Sequence, residues 1–270
     1  MHLDGNGWVD CGCGQRHWGT HGAAGIFLTV GNEVLLQLRP DWAHQGGSWG
    51  IPGGARDSHE SVVAAALREA QEETALPPGL VDVAGVHRVQ HPDWRYDTVL
   101  ASCAHKPELT EHDESVELRW VPLDQLDTMT LHPGLAEALP ELTARPVSLI
   151  VDAANVVGSR PDGWWHDRAG ATARLIESLE QVAGRVVLVD GEPVLLAHVE
   201  VVVEGKARAV ADPPLDSLVH VYRADGSGDD AVARRAATLS DVLVVTSDRG
   251  LQARVPRHIG VGELNRWLGR

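Results

Sequence analysis

The feature that most constrains this chain is an acidic helix that follows two glycines, within residues 54–76. Residues three and four positions apart share one face of a helix, so Glu69, Glu72 and Glu73 converge on one side. Three neighbouring carboxylates repel one another unless a cation lies among them, and Mg²⁺ takes oxygen ligands while keeping several waters. The segment therefore predicts a helix, at about residues 60–74, that carries a metal site.

A solvated acidic helix face is the alternative interpretation of this segment. It does not account for Glu60 and Arg68, which stand at fixed intervals between the glycines and the acids. From Gly54 onward the spacing is G-x5-E-x7-R-E-U-x-E-E-x-A-U, in which U is an apolar residue. Arg68 can hold a carboxylate in a fixed geometry. Glu60 is expected in the first helical turn, where its charge suits the helix dipole.

This spacing resembles the Nudix box, and residues 49–54 precede it as in MutT-like members of that family. The resemblance extends over about residues 8–142. It departs at Ala75, where the family has a glycine that is expected to end the helix in a left-handed turn. Alanine in that conformation costs on the order of 1 kcal/mol. It removes no metal ligand, so we expect weaker local stability and retained chemistry.

The resemblance implies an α/β/α sandwich with a mixed sheet. It also implies hydrolysis of a pyrophosphate bond in a nucleoside diphosphate-linked, NTP-like substrate, with Mg²⁺ or Mn²⁺. The carbonyl of Gly53 and the carboxylates of Glu69, Glu72 and Glu73 would be the metal ligands. Arg68, Glu69 and Glu73 would be catalytic residues.

The resemblance also implies a further catalytic acid in the loop before the last strand. Glu114 is the candidate for that acid, and Glu117 is its competitor. Trp49, Arg39 and Tyr96 are candidate substrate contacts, since aromatic rings can stack on a base. Trp49 could equally belong to the core.

The pattern changes in the second half of the chain. Residues 147–152 form a continuous apolar run that ends in an acid, which is typical of a strand buried on both faces of a parallel sheet. Further strands and helices follow, and their alternation predicts an α/β unit with a mainly parallel sheet: strands at 185–190, 199–203, 218–222 and 242–246, helices at 171–182 and 229–239. Pro140 and Pro146 mark the boundary, which gives domains at residues 1–145 and 146–270.

The second half resembles the NYN branch of PIN-like ribonucleases, including YacP-like proteins. The motifs that carry the resemblance lie at residues 149–157, 226–232 and 244–252. It implies that Asp152, Asp229, Asp230 and Asp248 hold one or two Mg²⁺ or Mn²⁺ ions for cleavage of single-stranded RNA. Asn155 would orient the substrate or a metal-bound water, and Asp152, Asn155, Asp229 and Asp248 would be catalytic.

Placement at strand ends supports this interpretation independently, because ligands gather at the carboxyl ends of strands in open parallel sheets. Asp152 and Asp248 each follow an apolar run, and Asp190 is a further acid of this kind. The alternative is that these acids only cap helices and form turns.

The net charge of -15 argues against a broad nucleic-acid surface, since phosphate neutralisation drives such binding. It does not argue against a metal-dependent phosphate enzyme. The N-terminal residues lack an apolar signal region, and no apolar run reaches membrane-spanning length. We therefore expect a cytoplasmic protein with no membrane partner. A homodimer is left open.

Three cysteines give no disulfide framework and fit a reducing compartment. Cys11, Cys13, His17 and His21 can be interpreted as four zinc ligands, or as small and polar residues around a strand. The C-x-C spacing is tighter than that of the usual zinc knuckle.

Two other interpretations of the whole chain remain. In the first, a Nudix module senses a nucleotide and controls the nuclease-like half. In the second, the C-terminal half is a structural or dimerisation domain.

Overall fold

The computed structural model of the chain describes residues 4–43, 45–110, 116–160 and 163–269. The chain divides into two units, Met1–Thr143 and Ala144–Arg270. In the parts of the chain that the structure describes, no helix is long and apolar enough to cross a membrane.

The first unit contains nine strands and two α-helices in its described residues: β1 Trp8–Asp10, β2 Arg16–Trp18, β3 Ala23–Val30, β4 Glu33–Leu38, β5 Trp49–Gly50, β6 Gly53–Ala55, α1 Val62–Thr74, β7 Asp82–Gln90, β8 Arg95–Ser102, β9 Glu117–Pro122 and α2 Pro133–Leu142. Strands β1 and β2 form a separate hairpin. The other seven strands form one sheet, in which β3 pairs with β8 in parallel and every other pairing is antiparallel. The predicted mixed sheet is confirmed.

Helix α1 packs on β3, β6 and β8 and buries its small apolar residues there. The helix begins after Ser61, whose hydroxyl accepts a hydrogen bond from the N–H of Ala64 at 3.2 Å. Glu60 therefore lies before the cap, so its predicted place in the first helical turn is wrong. The helix ends at Ala75 with φ 58° and ψ 22°, which confirms the predicted left-handed turn.

Helix α2 contains Pro140 and continues past it to Leu142. A proline inside a helix removes one backbone hydrogen bond. Pro140 is exposed and lies in the last turn, while Leu135, Ala138 and Leu142 are buried. The burial of this apolar stripe offsets the lost bond.

The second unit contains six strands and five α-helices in its described residues: β10 Arg145–Asp152, α3 Ala153–Gly158, α4 Arg168–Leu179, β11 Val186–Val189, β12 Glu192–Val203, β13 Val219–Arg223, α5 Gly228–Thr238, β14 Val242–Val245, α6 Arg249–Gln252, β15 His258–Ile259 and α7 Val261–Trp267. Strands β13, β12, β10, β14 and β15 are parallel neighbours, and β11 alone runs antiparallel, against β12. The predicted, mainly parallel sheet is confirmed. Whether this unit is PIN-like stays a prediction.

The parallel sheet brings the ends of β10, β12 and β14 to one edge. Asp152 ends β10, and Glu204 follows β12 directly. Asp190 is different, because it lies in the tight turn between β11 and β12 with φ 54°. Since β11 is antiparallel to its neighbour, Asp190 lies at the opposite end of the sheet from Asp152. Its expected place beside the other acids is wrong.

Candidate active site

The loop between β6 and α1 is held in place by a buried arginine. The guanidinium of Arg56 donates hydrogen bonds to the carbonyl of His21 at 2.7 and 3.1 Å, and to the carbonyl of Glu60 at 3.0 Å. Asp57 in the same loop is also buried, and it accepts a hydrogen bond from the N–H of Gly5 at 2.8 Å. These contacts fix Glu60 relative to α1.

Arg68 connects three of the acids of the Nudix-like segment. Its Nε and Nη2 donate to the two oxygens of Glu60 at 2.7 and 3.0 Å, and its Nη1 donates to Glu69 at 2.8 Å and to Glu72 at 3.0 Å. Its Nη2 also reaches the carbonyl of Ala55 at 2.9 Å. The hydrogen bonds to Glu60 raise the pKa of Arg68 against the opposing effect of burial, and Glu69 adds to the rise.

The pKa of Glu60 shifts in the opposite direction. Burial acts to raise its pKa, but the hydrogen bonds from Arg68 and from the N–H of Asp57 outweigh burial, so the pKa of Glu60 is lowered. Glu60 thus stays ionised and holds Arg68 in place beside Glu69.

Glu69 and Glu73 are held against the two adjacent glycines of β6. A carboxylate oxygen of Glu73 accepts hydrogen bonds from the N–H of Gly53 at 2.9 Å and from the amide of Gln37 at 3.2 Å. The carboxylate of Glu69 lies against Gly54, where a Cβ would meet it at 2.5 Å. Glu73 is 6% exposed. No sequence pattern pointed to Gln37, because a buried amide on a strand has no motif of its own.

Glu72 occupies a different environment, because 57% of its side chain is exposed and Arg68 is its partner. Within the described residues, the three glutamates do not bring one oxygen each within 4.8 Å of one another. Their chemistry nevertheless suits a hard cation, since Mg²⁺ takes carboxylate and carbonyl oxygens and retains waters. Glu69, Glu73 and the Gly53 backbone lie side by side, so the residues present fit such an ion.

The predicted substrate contacts fall into two groups. Trp49 is buried, and the guanidinium of Arg119 lies 4.6 Å from its ring centroid, so it has the environment of a core residue. Tyr96 directs its hydroxyl at the backbone of Gly25 and Gly53. Burial raises the pKa of Tyr96, and Glu73 adds to the rise. Tyr96 therefore forms a wall of the carboxylate site.

Arg39 directly follows β4, two residues after Gln37. Its positive charge acts to lower the pKa of Tyr96, so Arg39 lies near the same wall.

Glu117, at the start of β9, accepts hydrogen bonds from Arg119 at 2.6 and 2.8 Å. Glu114 lies outside the described residues.

An open pocket of about 550 Å³ lies beside this site. Leu35 pairs with Trp120, and Gln37 pairs with Leu118, so these four side chains share one face of the β4–β9 ladder. The pocket is lined by Leu35, Pro107, Leu109, Thr110, Leu118 and Trp120. Since Gln37 also binds Glu73, the pocket and the carboxylates lie on one face of the sheet. The sequence did not single out this pocket, because it is formed by residues from three separate segments.

In the second unit, Asp152 is buried at the end of β10. It accepts hydrogen bonds from the N–H of Asn155 at 3.1 Å and from the hydroxyl of Thr246 at 3.1 Å. Burial raises the pKa of Asp152 despite these bonds, and the nearby Asp229 and Glu204 raise it further. Glu204 was not predicted as a site residue from the sequence, although it follows an apolar strand just as Asp152 ends one.

Asp229 and Asp248 lie close to this acid. Burial raises the pKa of Asp229, and Asp248 and Glu204 add to the rise. The carboxylate of Asp248 also caps α6, since it accepts a hydrogen bond from the N–H of Leu251 at 2.8 Å. Glu204 accepts a hydrogen bond from the N–H of Gly228 at 2.6 Å. Four acids therefore share this edge of the sheet.

Two other predicted residues have different partners. Asp230 forms an ion pair with Arg254 at 2.5 Å. The side-chain oxygen of Asn155 accepts a hydrogen bond from the N–H of Ser247 at 2.8 Å, which ties the end of β10 to the segment after β14. Asn155 therefore positions the backbone after β14, and the charge of Asp230 is paired with Arg254.

The mixed sheet, the glycine pair and the acidic helix together define a phosphate-processing hydrolase of the Nudix class. The family model described as the NUDIX domain matches residues 19–142. The chain is 40% identical over 157 residues to a putative 8-oxo-dGTP diphosphatase 3 of Mycobacterium tuberculosis (strain ATCC 25618 / H37Rv), a match that covers 54% of this chain and 72% of that protein. The chain therefore belongs to the Nudix hydrolase family, and its homologues support an enzyme that acts on pyrophosphate bonds.

Two further proteins resemble the same part of the chain. A nucleoside triphosphate pyrophosphatase/Nudix hydrolase fusion protein of Bifidobacterium longum (strain NCC 2705) is 41% identical over 157 residues, which is 54% of this chain and 32% of that protein. The chain thus aligns with about a third of that relative. A crystal structure of a Nudix hydrolase from M. smegmatis is 43% identical, with a TM-score of 0.48, and covers 51% of this chain and 92% of that one. The family model ends at residue 142 and includes none of the second unit.

Proposed function

We propose that residues 1–145 form a Mg²⁺-dependent pyrophosphohydrolase, which Mn²⁺ also supports, that cleaves an NTP-like nucleotide. The observation that carries the proposal is the placement of Glu69 and Glu73 against Gly53 and Gly54. 8-oxo-dGTP is the first substrate to test, because the Mycobacterium tuberculosis relative carries that substrate in its name.

The residues have distinct roles in this proposal. Glu69, Glu72, Glu73 and the Gly53 carbonyl would hold the metal, which when bound neutralises phosphate charge and lowers the pKa of water. Arg68 positions Glu69, since it is itself fixed by two hydrogen bonds to Glu60. The buried Glu73 carboxylate is kept in place by the backbone of β6.

The pocket beside Gln37 is the proposed site for the base. Its apolar lining suits a planar ring, and Trp120 supplies an aromatic surface. Lys106 lies 5.8 Å from the centroid of that ring and pairs with Glu33 at 2.7 Å. Arg39, on the other side of Gln37 along β4, is the proposed phosphate contact.

Replacement of Glu73 tests the hydrolase assignment. Glu73→Gln keeps the size of the side chain and removes its charge, so we expect kcat on 8-oxo-dGTP or dGTP to fall by about a thousandfold. Glu137→Gln, on an exposed position of α2, is the charge-matched control and should retain activity. Both proteins are assayed with Mg²⁺ and with Mn²⁺ for release of nucleoside monophosphate and pyrophosphate. A folded Glu73→Gln protein with normal kcat would remove the assignment.

The same experiment separates an enzyme from a nucleotide sensor. A sensor binds nucleotide without turnover, so wild type would show saturable binding in calorimetry and no product with any nucleotide. The complete set of carboxylates supports turnover, because binding alone does not require Glu69 and Glu73 beside the glycines.

For residues 146–270 we propose a metal-dependent ribonuclease domain of the NYN/PIN-like type that acts on single-stranded RNA. The supporting observation is the gathering of four acids at one edge of the sheet, where burial, Asp229 and Glu204 raise the pKa of Asp152. A divalent cation relieves the repulsion between such neighbouring carboxylates. Asp152, Asp229 and Asp248 would hold Mg²⁺ or Mn²⁺, and Glu204 joins them in this proposal.

The ribonuclease proposal is tested with Asp152→Asn, which is nearly isosteric and uncharged. We expect it to abolish metal-dependent cleavage of single-stranded RNA and to leave nucleotide hydrolysis unchanged. Asp190→Asn is the matched control, since Asp190 lies at the opposite end of the sheet and pairs with Arg257 at 3.1 Å. If wild type cuts no RNA with either metal, the unit has a structural or regulatory role instead.

A further inference from the structure

The turn between β1 and β2 brings together two thiols and an imidazole. The N–H of Cys11 donates to the carbonyl of Gln15 at 3.0 Å, and the N–H of Gly14 donates to the carbonyl of Cys11 at 2.9 Å, which closes a tight turn around Cys13. The sulfur of Cys13 lies 3.2 Å from Nε2 of His17. One ligand atom each from Cys11, Cys13 and His17 lies within 4.8 Å of the others.

This spacing matches the demands of a tetrahedral zinc ion. Zn–S bonds of about 2.3 Å and Zn–N bonds of about 2.0 Å set neighbouring ligand atoms roughly 3.5–3.8 Å apart. The three ligand atoms of this turn lie within 4.8 Å of one another, and those of Cys13 and His17 lie 3.2 Å apart. Thiolate and imidazole ligands select Zn²⁺ over Mg²⁺, whereas the carboxylates of α1 have the opposite preference. The first unit thus offers two sites of different chemistry.

Contacts with the β7–β8 loop hold the imidazole of His17 in place. The ring of His17 stacks on Trp94, with centroids 4.3 Å apart and an angle of 8° between the planes. The N–H of Gly12 donates to Asp93 at 2.7 Å, so the β7–β8 loop holds both sides of the turn. The ring of His91 in the same loop lies 4.5 Å from that of His17, so this loop is a source of a fourth ligand besides water.

His21 does not join this group, so the interpretation of the sequence that counts four zinc ligands is wrong for His21. It pairs with Asp4 at 3.6 Å instead. The reason is topological: His17 lies on β2 beside the turn, whereas His21 follows the strand and leads into β3.

We propose that Cys11, Cys13 and His17 bind a structural zinc ion that closes the β1–β2 hairpin where it packs against the β7–β8 loop. The hairpin has only three residues in each strand, so a metal link adds stability that its own packing provides poorly. Trp94 lies 6.1 Å from Tyr96, the wall of the carboxylate site, so the zinc ion would also steady that wall.

The proposal is tested on the full chain, reduced and reconstituted with Co²⁺ in place of zinc. We expect about one equivalent of thiolate-bound Co²⁺ per chain, seen as a sulfur-to-cobalt charge-transfer band and tetrahedral visible bands. Added zinc should displace the Co²⁺ and abolish the charge-transfer band and the visible bands. Cys13→Ser and His17→Gln should weaken or lose the bands, whereas Cys103→Ala, which removes the buried thiol outside this turn, should keep them.

The controls separate this site from the hydrolase. Glu73→Gln should keep the cobalt bands, because it changes only the carboxylate site. If reduced wild type gives no sulfur-to-cobalt band, there is no zinc site. Thiol titration of unreduced protein that detects only Cys103, with no bound metal, would assign the pair to a disulfide and overturn the proposal. If Cys13→Ser does not fold, the wild-type spectrum alone decides.

Discussion

The carboxylate of Glu69 lies 2.5 Å from the point that a Cβ on Gly54 would occupy. The two residues are therefore matched: the absence of a side chain at Gly54 leaves the room that Glu69 takes. Gly54 needs no unusual backbone conformation here, so this role depends on space alone. The end of a glutamate side chain is flexible and can move away at small cost.

Gly54→Ala should consequently reduce activity more than stability. We expect the methyl group to displace the carboxylate and to lower kcat by about a hundredfold, while the thermal midpoint stays close to that of wild type. Gly79→Ala is the matched control, because no atom lies within 4 Å of a Cβ there. Equal losses of activity in both variants, or a collapse of the thermal midpoint in Gly54→Ala alone, would contradict this prediction.

The sequence predicted α1, its acidic face and the left-handed position of Ala75, because helical spacing and a family motif are local properties. It did not predict how differently the acids are placed. Glu73 is buried and accepts hydrogen bonds from Gly53 and Gln37, whereas Glu72 is half exposed and pairs with Arg68. The partners of Glu73 come from β4 and β6, and contacts with distant strands leave no local signal in the sequence.

The second unit illustrates the same limit. Apolar runs predicted its strands, and the acids after them were found because each follows such a run. Asp190 satisfied that rule and is nevertheless at the other end of the sheet, since the rule assumes that all strands are parallel. Glu204 satisfied it as well and was overlooked. Strand direction, which depends on the whole topology, decides between these two acids.

Ala75→Gly should stabilise the first unit. Ala75 adopts φ 58°, a conformation that costs an alanine about 1 kcal/mol and a glycine almost nothing. We expect the free energy of unfolding to rise by about 1 kcal/mol in urea titrations followed by tryptophan fluorescence. The matched control is Ala64→Gly at an exposed position inside α1, which should lower it by about 1 kcal/mol. Effects of the same sign in both variants would contradict the role of the left-handed turn.

Glu60→Gln should remove stability in a pH-dependent way. The Glu60 side chain is 11% exposed and holds Arg68 with two hydrogen bonds. Breaking a buried ion pair costs about 3–5 kcal/mol near neutral pH. Arg68 keeps its contacts to Glu69 and Glu72 in the variant, so we expect the lower end of that range.

The sign of the pH dependence follows from the lowered pKa of Glu60. A carboxylate whose pKa is lower in the folded than in the unfolded state contributes stability above its unfolded pKa, and the contribution disappears as the pH falls through the folded value. The ordinary pKa of this side chain is 4.5. The difference in unfolding free energy between wild type and Glu60→Gln should thus be constant near neutral pH and shrink on acidification below that value. Glu137→Gln, whose side chain is exposed, should show no such loss. A difference that stays constant into acid would show that the contact stabilises the fold by its shape and not by its charge.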